Sequence, residues 1–310
     1  MRARSNYILL AIIVVTRVAL SGGFSKLPIG ARAVALGGTL VSFSDDPNVV
    51  FYNPAGIASM NSLAVSTSVT QLFPGIVDDN LRYIAASAVA NFSFLGNVGV
   101  GIKSFSSDAW KENEFIGSYA QDLFGVLSVG GSVKLLQWST PSPSGRLAQP
   151  EAGYSNAVLS FDAGAQSTIK DIVPDNDVTL GFMLGDINRP SIAQNGSPDG
   201  KLDMKMALGV QYASRIYNYA VTAHYTIQGP IRRFGSGPEI LAMKTSIIDQ
   251  EAELIVRVGG GGLLESGQQG DIDGGLGLNF GGLKLDYAYT HQTELQYVGG
   301  SHHISLRYFF

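Results

Sequence analysis

The feature that most constrains this chain is alternation. From Asn61 onward, apolar and polar residues change places at every second position, the period of a half-buried strand and not of a helix. In NVGVGIKSF, Val98, Val100 and Ile102 fall on one face, with Asn97, Gly99, Gly101 and Lys103 on the other. In YNYAVTAHYTIQ, Tyr217, Tyr219, Val221, Ala223, Tyr225 and Ile227 oppose Asn218, Ala220, Thr222, His224, Thr226 and Gln228. In LKLDYAYT, Leu283, Leu285, Tyr287 and Tyr289 oppose Lys284, Asp286, Ala288 and Thr290. LSVGGSVKLL, AVLSFDAGAQ and GLGLNF divide the same way. A soluble two-sheet sandwich also alternates. A transmembrane antiparallel β-barrel accounts better for two details. Gly, Ala, Ser and Asn at the polar positions suit an interior with little room. Tyrosines at the apolar positions suit a bilayer interface, where the ring is buried and the hydroxyl stays wet.

Candidate strands span 61–72, 80–92, 94–106, 112–122, 123–138, 154–169, 176–187, 203–214, 215–228, 236–247, 251–264, 271–280, 281–292 and 300–310. The count is about fourteen, each near the roughly 9–11 residues that a tilted strand needs to cross the hydrocarbon. The stretches 112–122 and 236–247 alternate least well, so a barrel of about twelve strands is the other reading. The Pro-, Gly- and Asn-bearing connectors 139–153, 188–201 and 229–238 read as loops.

Composition agrees with a membrane barrel. Hydrophobic residues make up 45% of 310 and charged residues only 15%, and the mean hydropathy is +0.15. Beyond the N-terminus, however, no run approaches the roughly 18–20 apolar residues of a membrane helix. A net charge of −4 without Lys/Arg runs excludes a nucleic-acid partner. The chain has no cysteine, hence neither a disulfide framework nor a lipid-modified N-terminus. It begins MRARSNYILLAIIVVTRVALSGG: a basic start at Arg2 and Arg4, an apolar run from Tyr7 to Val15, then small residues. That is the layout of a secretory signal peptide over 1–21, cleaved after Ser21 or nearby, with Arg17 the one discordant residue. Residues 22–60 then precede the barrel, 61–310.

Catalytic and cofactor constellations are not found. The histidines are His224, His291, His302 and His303, and nothing joins them into a zinc set. GGLGLNFGG and Gly259 to Gly262 lack the spacing of a phosphate loop and are followed by no helix. Asp45 and Asp46 could be read as a metal or acid/base pair, but adjacent residues in a turn point apart and no Glu or His completes a set. Turn formation plus an ion pair with Arg32 or a lumen base is the better account. We expect no enzyme, no cofactor and no metal.

The lumen of so large a barrel is too wide for strand side chains to fill. The block GARAVALGGTLVSFSDDPNVVFYNPAGIA, from Gly30 to Ala58, could fill it. Its Gly and Ala residues permit close approach to a wall, Asp45-Asp46-Pro47-Asn48 is turn chemistry, and Asn53-Pro54-Ala55-Gly56 reads as a second turn. Parity places Lys103, Lys134, Asp162, His224, Arg257, Lys284, Asp286 and Arg307 in the lumen, with bases in excess. These bases are expected to hold the N-terminal block through Asp45 and Asp46. The ending SHHISLRYFF puts Ile304, Leu306, Tyr308 and Phe310 on one face, which resembles the C-terminal signal that bacterial outer-membrane barrels present to their insertion machinery.

GARAVALGG, SDD and YNPAG, in that order, resemble the FadL superfamily of outer-membrane barrels. With GGLGLNFGGLKLDYAYT and the His-x-Ile-Ser-Leu ending, the resemblance is closest to the PorV/PorQ-like branch linked to type IX secretion. It implies a fourteen-stranded barrel in the Gram-negative outer membrane. An N-terminal hatch would carry the signature Gly30, Arg32, Gly37, Gly38, Asp45, Asp46, Asn53, Pro54 and Gly56. On that branch the role is a non-catalytic accessory or shuttle in protein secretion, and the partners are outer-membrane lipid and a secretion translocon or its exported proteins. The alternative is FadL-like passive transport of long-chain fatty acids or other hydrophobic small molecules. A purely structural surface protein is a third possibility.

Overall fold

The computed structural model describes residues 24, 27–76, 81–140, 153–194, 196–264, 270–294 and 299–310. The expected signal peptide and most of the 139–153 loop lie outside the described residues. Fourteen strands form one closed antiparallel barrel. In chain order they are β1 (Ala64–Gln71), β2 (Arg82–Asn91), β3 (Asn97–Ser106), β4 (Lys111–Leu123), β5 (Leu127–Ser139), β6 (Ser155–Val173) and β7 (Asn176–Gly185). There follow β8 (Lys205–Ser214), β9 (Tyr219–Gln228), β10 (Ile231–Ile247), β11 (Gln250–Leu263), β12 (Gly270–Phe280), β13 (Leu283–Gln292) and β14 (Ser301–Phe309). Each strand pairs with its sequence neighbours, and β1 pairs with β14 from Ala64↔Phe309 to Gln71↔His302 to seal the wall. Twelve strands are thereby excluded, and among the described residues no helix is long and apolar enough to cross a membrane.

The stretch 229–238 is not a loop, as the sequence led us to expect: only Gly229 and Pro230 turn, and β10 begins at Ile231. Its glycines and Pro238 look like turn punctuation, yet each has a place in a strand. Gly235 and Gly237 face the lumen where backbone from the N-terminal segment approaches. Pro238 lacks an N–H, and the ladder from β10 to β11 runs from Ser236↔Gly260 to Glu239↔Arg257 without pairing Gly237 or Pro238.

Alternation sorts the faces. Val98, Val100, Ile102, Leu285, Ile304 and Leu306 are exposed on the outer wall, whereas Ser66, Ser87, Asp286 and Arg307 are buried inside. The connections at the two ends differ. At one end, short turns join the strands, with 174–175, 248–249 and 281–282 only two residues long. The other end carries longer loops, such as 186–204. The tips at the turn end are apolar: Phe94 is 86% exposed, Phe124 97% and Ile248 89%. Apolar and aromatic side chains at such a rim suit the interfacial zone of a bilayer.

Residues 27–60 lie inside the barrel. A short helix α1 (Ala31–Ala35) and two 3-10 helices, Pro47–Phe51 and Pro54–Ser59, give the segment its shape. Both 3-10 helices start the same way: a side-chain oxygen, from Asp46 or Asn53, accepts a backbone N–H two residues on, and proline occupies the first position. Ala33, Leu40, Val49, Val50, Ala55 and Ile57 are fully buried, so the apolar core of this protein sits between the segment and the inner wall.

Candidate functional site

The segment is tied to the wall by a chain of alternating charge that begins and ends on the aspartate pair. Arg32 Nη1 lies 2.8 Å from Asp45 Oδ1, and its Nη2 lies 2.8 Å from Glu239 Oε1 on β10. Glu239 Oε2 accepts from Arg257 Nε at 2.5 Å, and Arg257 Nη1 donates to Asp286 Oδ1 at 2.7 Å. Asp286 Oδ2 meets Arg307 Nη2 at 2.7 Å, and Arg307 Nη1 returns to Asp46 Oδ2 at 2.8 Å. The two aspartates are adjacent but not equivalent. Asp46 has a fully buried side chain, and its Oδ1 also accepts Asn48 N–H at 2.9 Å. The Asp45 side chain is 57% exposed. Arg32 also lies over the Phe43 ring, 4.8 Å from its centroid. Burial alone would weaken its hold on a proton, but Asp45, Glu239 and Asp46 outweigh that, and the guanidinium stays charged.

Neutral hydrogen bonds fasten the rest. Ala31 N–H donates to Ser305 Oγ at 2.7 Å, and Asn48 Nδ2 donates to Ser66 Oγ at 3.0 Å. Asn53 Nδ2 bridges to Val41 O at 2.8 Å and to Ala165 O at 3.2 Å. The Tyr52 hydroxyl accepts Ile29 N–H at 2.6 Å and donates to Ile29 O at 2.9 Å. Burial pushes that hydroxyl well above the usual phenol range.

Glycines of the wall let the segment come this close. A β-carbon at Gly130 would stand 2.6 Å from the Pro54 carbonyl carbon, and one at Gly259 would stand 2.5 Å from Ala35 O. Gly164 is in the same position against Asn53, Gly181 against Val41 and Gly235 against Gly37. The fit is reciprocal at Gly37, whose φ is +83°, and whose β-carbon would lie 2.6 Å from both Gly260 O and Ser236 N. Only glycine combines that conformation with that proximity.

Toward the loop end the lumen carries two apolar clusters on one side, whereas Gln228, Asp273, Thr290 and His303 keep the opposite side polar. The Tyr83 and Phe105 rings meet at a tilt, 4.8 Å between centroids, beside Leu72, Phe73 and Ile29, while Leu136, Ile192 and Leu202 form a second cluster with Trp138 and Val158. Between them lies a separate charged group: Lys134 Nζ meets Asp162 Oδ1 at 2.8 Å and Asp186 Oδ1 at 2.7 Å, and Lys103 Nζ meets Glu114 Oε2 at 2.8 Å.

Of the eight residues assigned to the lumen by parity, six are buried and Lys103 and Lys284 are half-buried, and they do not act as one set. Arg257, Asp286 and Arg307 join the chain that ends on Asp45 and Asp46, and Arg307 alone among the eight bonds to either aspartate. Lys284 sits over the Phe309 ring at 4.5 Å. Lys103, Lys134 and Asp162 belong to the separate group, and His224 Nδ1 has no hydrogen-bond partner. Sequence reasoning missed Glu239 and Arg233, whose Nη2 donates to Gly37 O at 3.3 Å and to Asp271 at 2.6 Å. Both lie where a loop or a weak strand was expected. Glu112, Glu114, Asp271 and Asp273 were also missed, and with these carboxylates the lumen no longer carries an excess of bases. Of the block's signature residues, Gly30 precedes α1 at φ +89°, Gly38 turns at φ +103°, and Gly56 passes beneath Phe43 O at 2.5 Å from where its β-carbon would be. Ile304, Leu306, Tyr308 and Phe310 share the outer face, and the Tyr308 and Phe310 rings meet edge to face at 4.6 Å.

Comparison with solved structures decides what this architecture is shared with. The chain superposes on the toluene transporter TbuX of Ralstonia pickettii with a TM-score of 0.64 and 14% identity, covering 93% of this chain and 100% of that one. The fold is that of the FadL-like barrels. The toluene transporter TodX of Pseudomonas putida gives 0.62 and 12% identity over 92% and 99% of the two chains. A FadL homologue of Pseudomonas aeruginosa gives 0.57 and 12% identity over 92% and 99%. No family model matches the chain, and no curated protein matches it in sequence.

Proposed function

We propose that this protein is a non-catalytic outer-membrane channel for hydrophobic small molecules, exported by a cleaved leader and closed by residues 27–60 acting as a hatch. The observation that carries the reading is the pair of apolar clusters on one side of the lumen at the loop end, with Tyr83, Phe105, Leu136, Trp138 and Val158 projecting inward from the wall. A barrel that admits water-soluble solutes lines its mouth with polar groups. One that takes hydrocarbons needs an apolar, concave entry with few polar groups to orient the guest. The similar structures support the same reading, since two of them are toluene transporters. Long loops face outward and short turns face the periplasm in such barrels, so the apolar clusters lie toward the medium. The buried ion-pair chain keeps the hatch seated and the pore shut to ions. The secretion-accessory reading rests on the sequence resemblance to the PorV/PorQ-like branch, and no similar structure named above carries such a role.

Uptake is the direct test. Cells that carry the chain in their outer membrane should accumulate radiolabelled toluene or a long-chain fatty acid several-fold faster than cells with an empty vector. Equal rates for both solutes, together with co-purification of a large secretion channel, would favour the export role instead.

A further inference from the structure

The geometry around Phe24 bears on where the mature chain begins. The Phe24 backbone nitrogen donates to Glu112 Oε1 at 2.7 Å, and the same oxygen accepts Trp110 Nε1 at 2.8 Å. Glu112 is buried on the lumen face of β4. The Phe24 ring packs with Leu136, Ile192 and Leu202, roofed by Trp138, which stacks on Trp110 at 4.7 Å. Ring and nitrogen are thus both received by the loop end of the lumen. The φ of Phe24 is +51°. For an aromatic residue inside a chain this left-handed conformation is costly, because the side chain crowds the backbone on either side. Loss of the preceding carbonyl would relieve that crowding at Phe24, although Phe73 and Phe124 hold the same conformation inside the chain at φ +44° and +61°.

The sequence supplies the complement. A leader peptidase cuts after a small-x-small triplet, and three such triplets follow the apolar run: Ala19-Leu20-Ser21, Ser21-Gly22-Gly23 and Gly23-Phe24-Ser25, the last of which would discard Phe24 and the contacts it makes. The first leaves Gly22 and Gly23 ahead of Phe24 and an uncharged amide facing Glu112. The second frees the Phe24 nitrogen itself. We propose that the leader is hydrolysed between Gly23 and Phe24, and that Glu112 holds the resulting α-ammonium. One water is consumed; the carboxylate leaves with the leader, and the amine of Phe24 takes a proton. The amide-to-carboxylate bond then becomes a charge-assisted pair, the stronger kind. The first residue of the mature protein becomes the upper anchor of the hatch.

This inference rests on the export reading, and the experiment separates the two. Intact mass and N-terminal sequencing of protein purified from outer membranes should give Phe24 as the first residue. A chain that starts at Gly22 overturns the inference alone, and a chain that retains Met1 overturns export as well. The contact has its own readout in amine-selective acylation at neutral pH, followed by peptide mapping. The α-amine of the folded barrel should react about tenfold more slowly than in Glu112→Gln, with both proteins heat-modifiable and therefore assembled. Equal rates in the two folded proteins overturn the Glu112 pairing.

Discussion

Asp45 and Asp46 show how much a position matters when residue type is held constant. Asp46 caps a 3-10 helix with one oxygen and meets Arg307 with the other, both out of reach of water. Asp46→Ala strips a buried cation of one partner and a helix of its cap, and should destabilise the assembled protein by about 3–5 kcal/mol. Asp45→Ala removes a half-exposed partner of Arg32 and should cost about 0–1 kcal/mol. The temperature at which the heat-modifiable band is lost on a gel checks both, and equal shifts would contradict the asymmetry. The turn chemistry of this pair was legible in the sequence, as was the parity of Arg307 and Asp286. The link through Glu239 was not. Arg32 and Glu239 are 207 positions apart, and no local pattern specifies which strands face each other across a lumen.

At the scale of elements, strands with a greasy outer face declared themselves by their period of two, and all fourteen candidate stretches became strands. β10 was only half legible. Its first turns read Ile231-Arg232-Arg233-Phe234-Gly235-Ser236-Gly237-Pro238, where glycine, proline and paired arginines mimic a loop. The reason lies outside the strand: the glycines there are set by backbone arriving from residues 35–38, information that no window on β10 contains. The same dependence yields a prediction. Gly181 faces the Val41 carbonyl on the lumen side of β7, so Gly181→Val leaves no room for the segment in its present path. The wall should still close, because a β-branched residue suits a strand. Planar-bilayer recordings should then show larger and noisier ion conductance than the parent. A conductance unchanged from the parent would mean that the segment can yield without unsealing the lumen.

For the molecule as a whole, closure depends on the last residues. β14 seals against β1, and Phe310 N–H donates to Leu63 O at 2.9 Å, just ahead of the first strand. Removing Phe310 takes away this bond and the aromatic edge contact to Tyr308. The variant should accumulate as unassembled chain, scored by loss of the heat-modifiable species in membrane fractions. Full assembly after the deletion would show that the outer-face aromatic ending is dispensable.

The seam has a further consequence. Its inward side chains, Ser66, Ser305 and Arg307, are the ones that grip Asn48, Ala31 and Asp46. The two edges that complete the wall are therefore bridged by the portion of chain they enclose, so a change that loosens that portion should loosen the join itself.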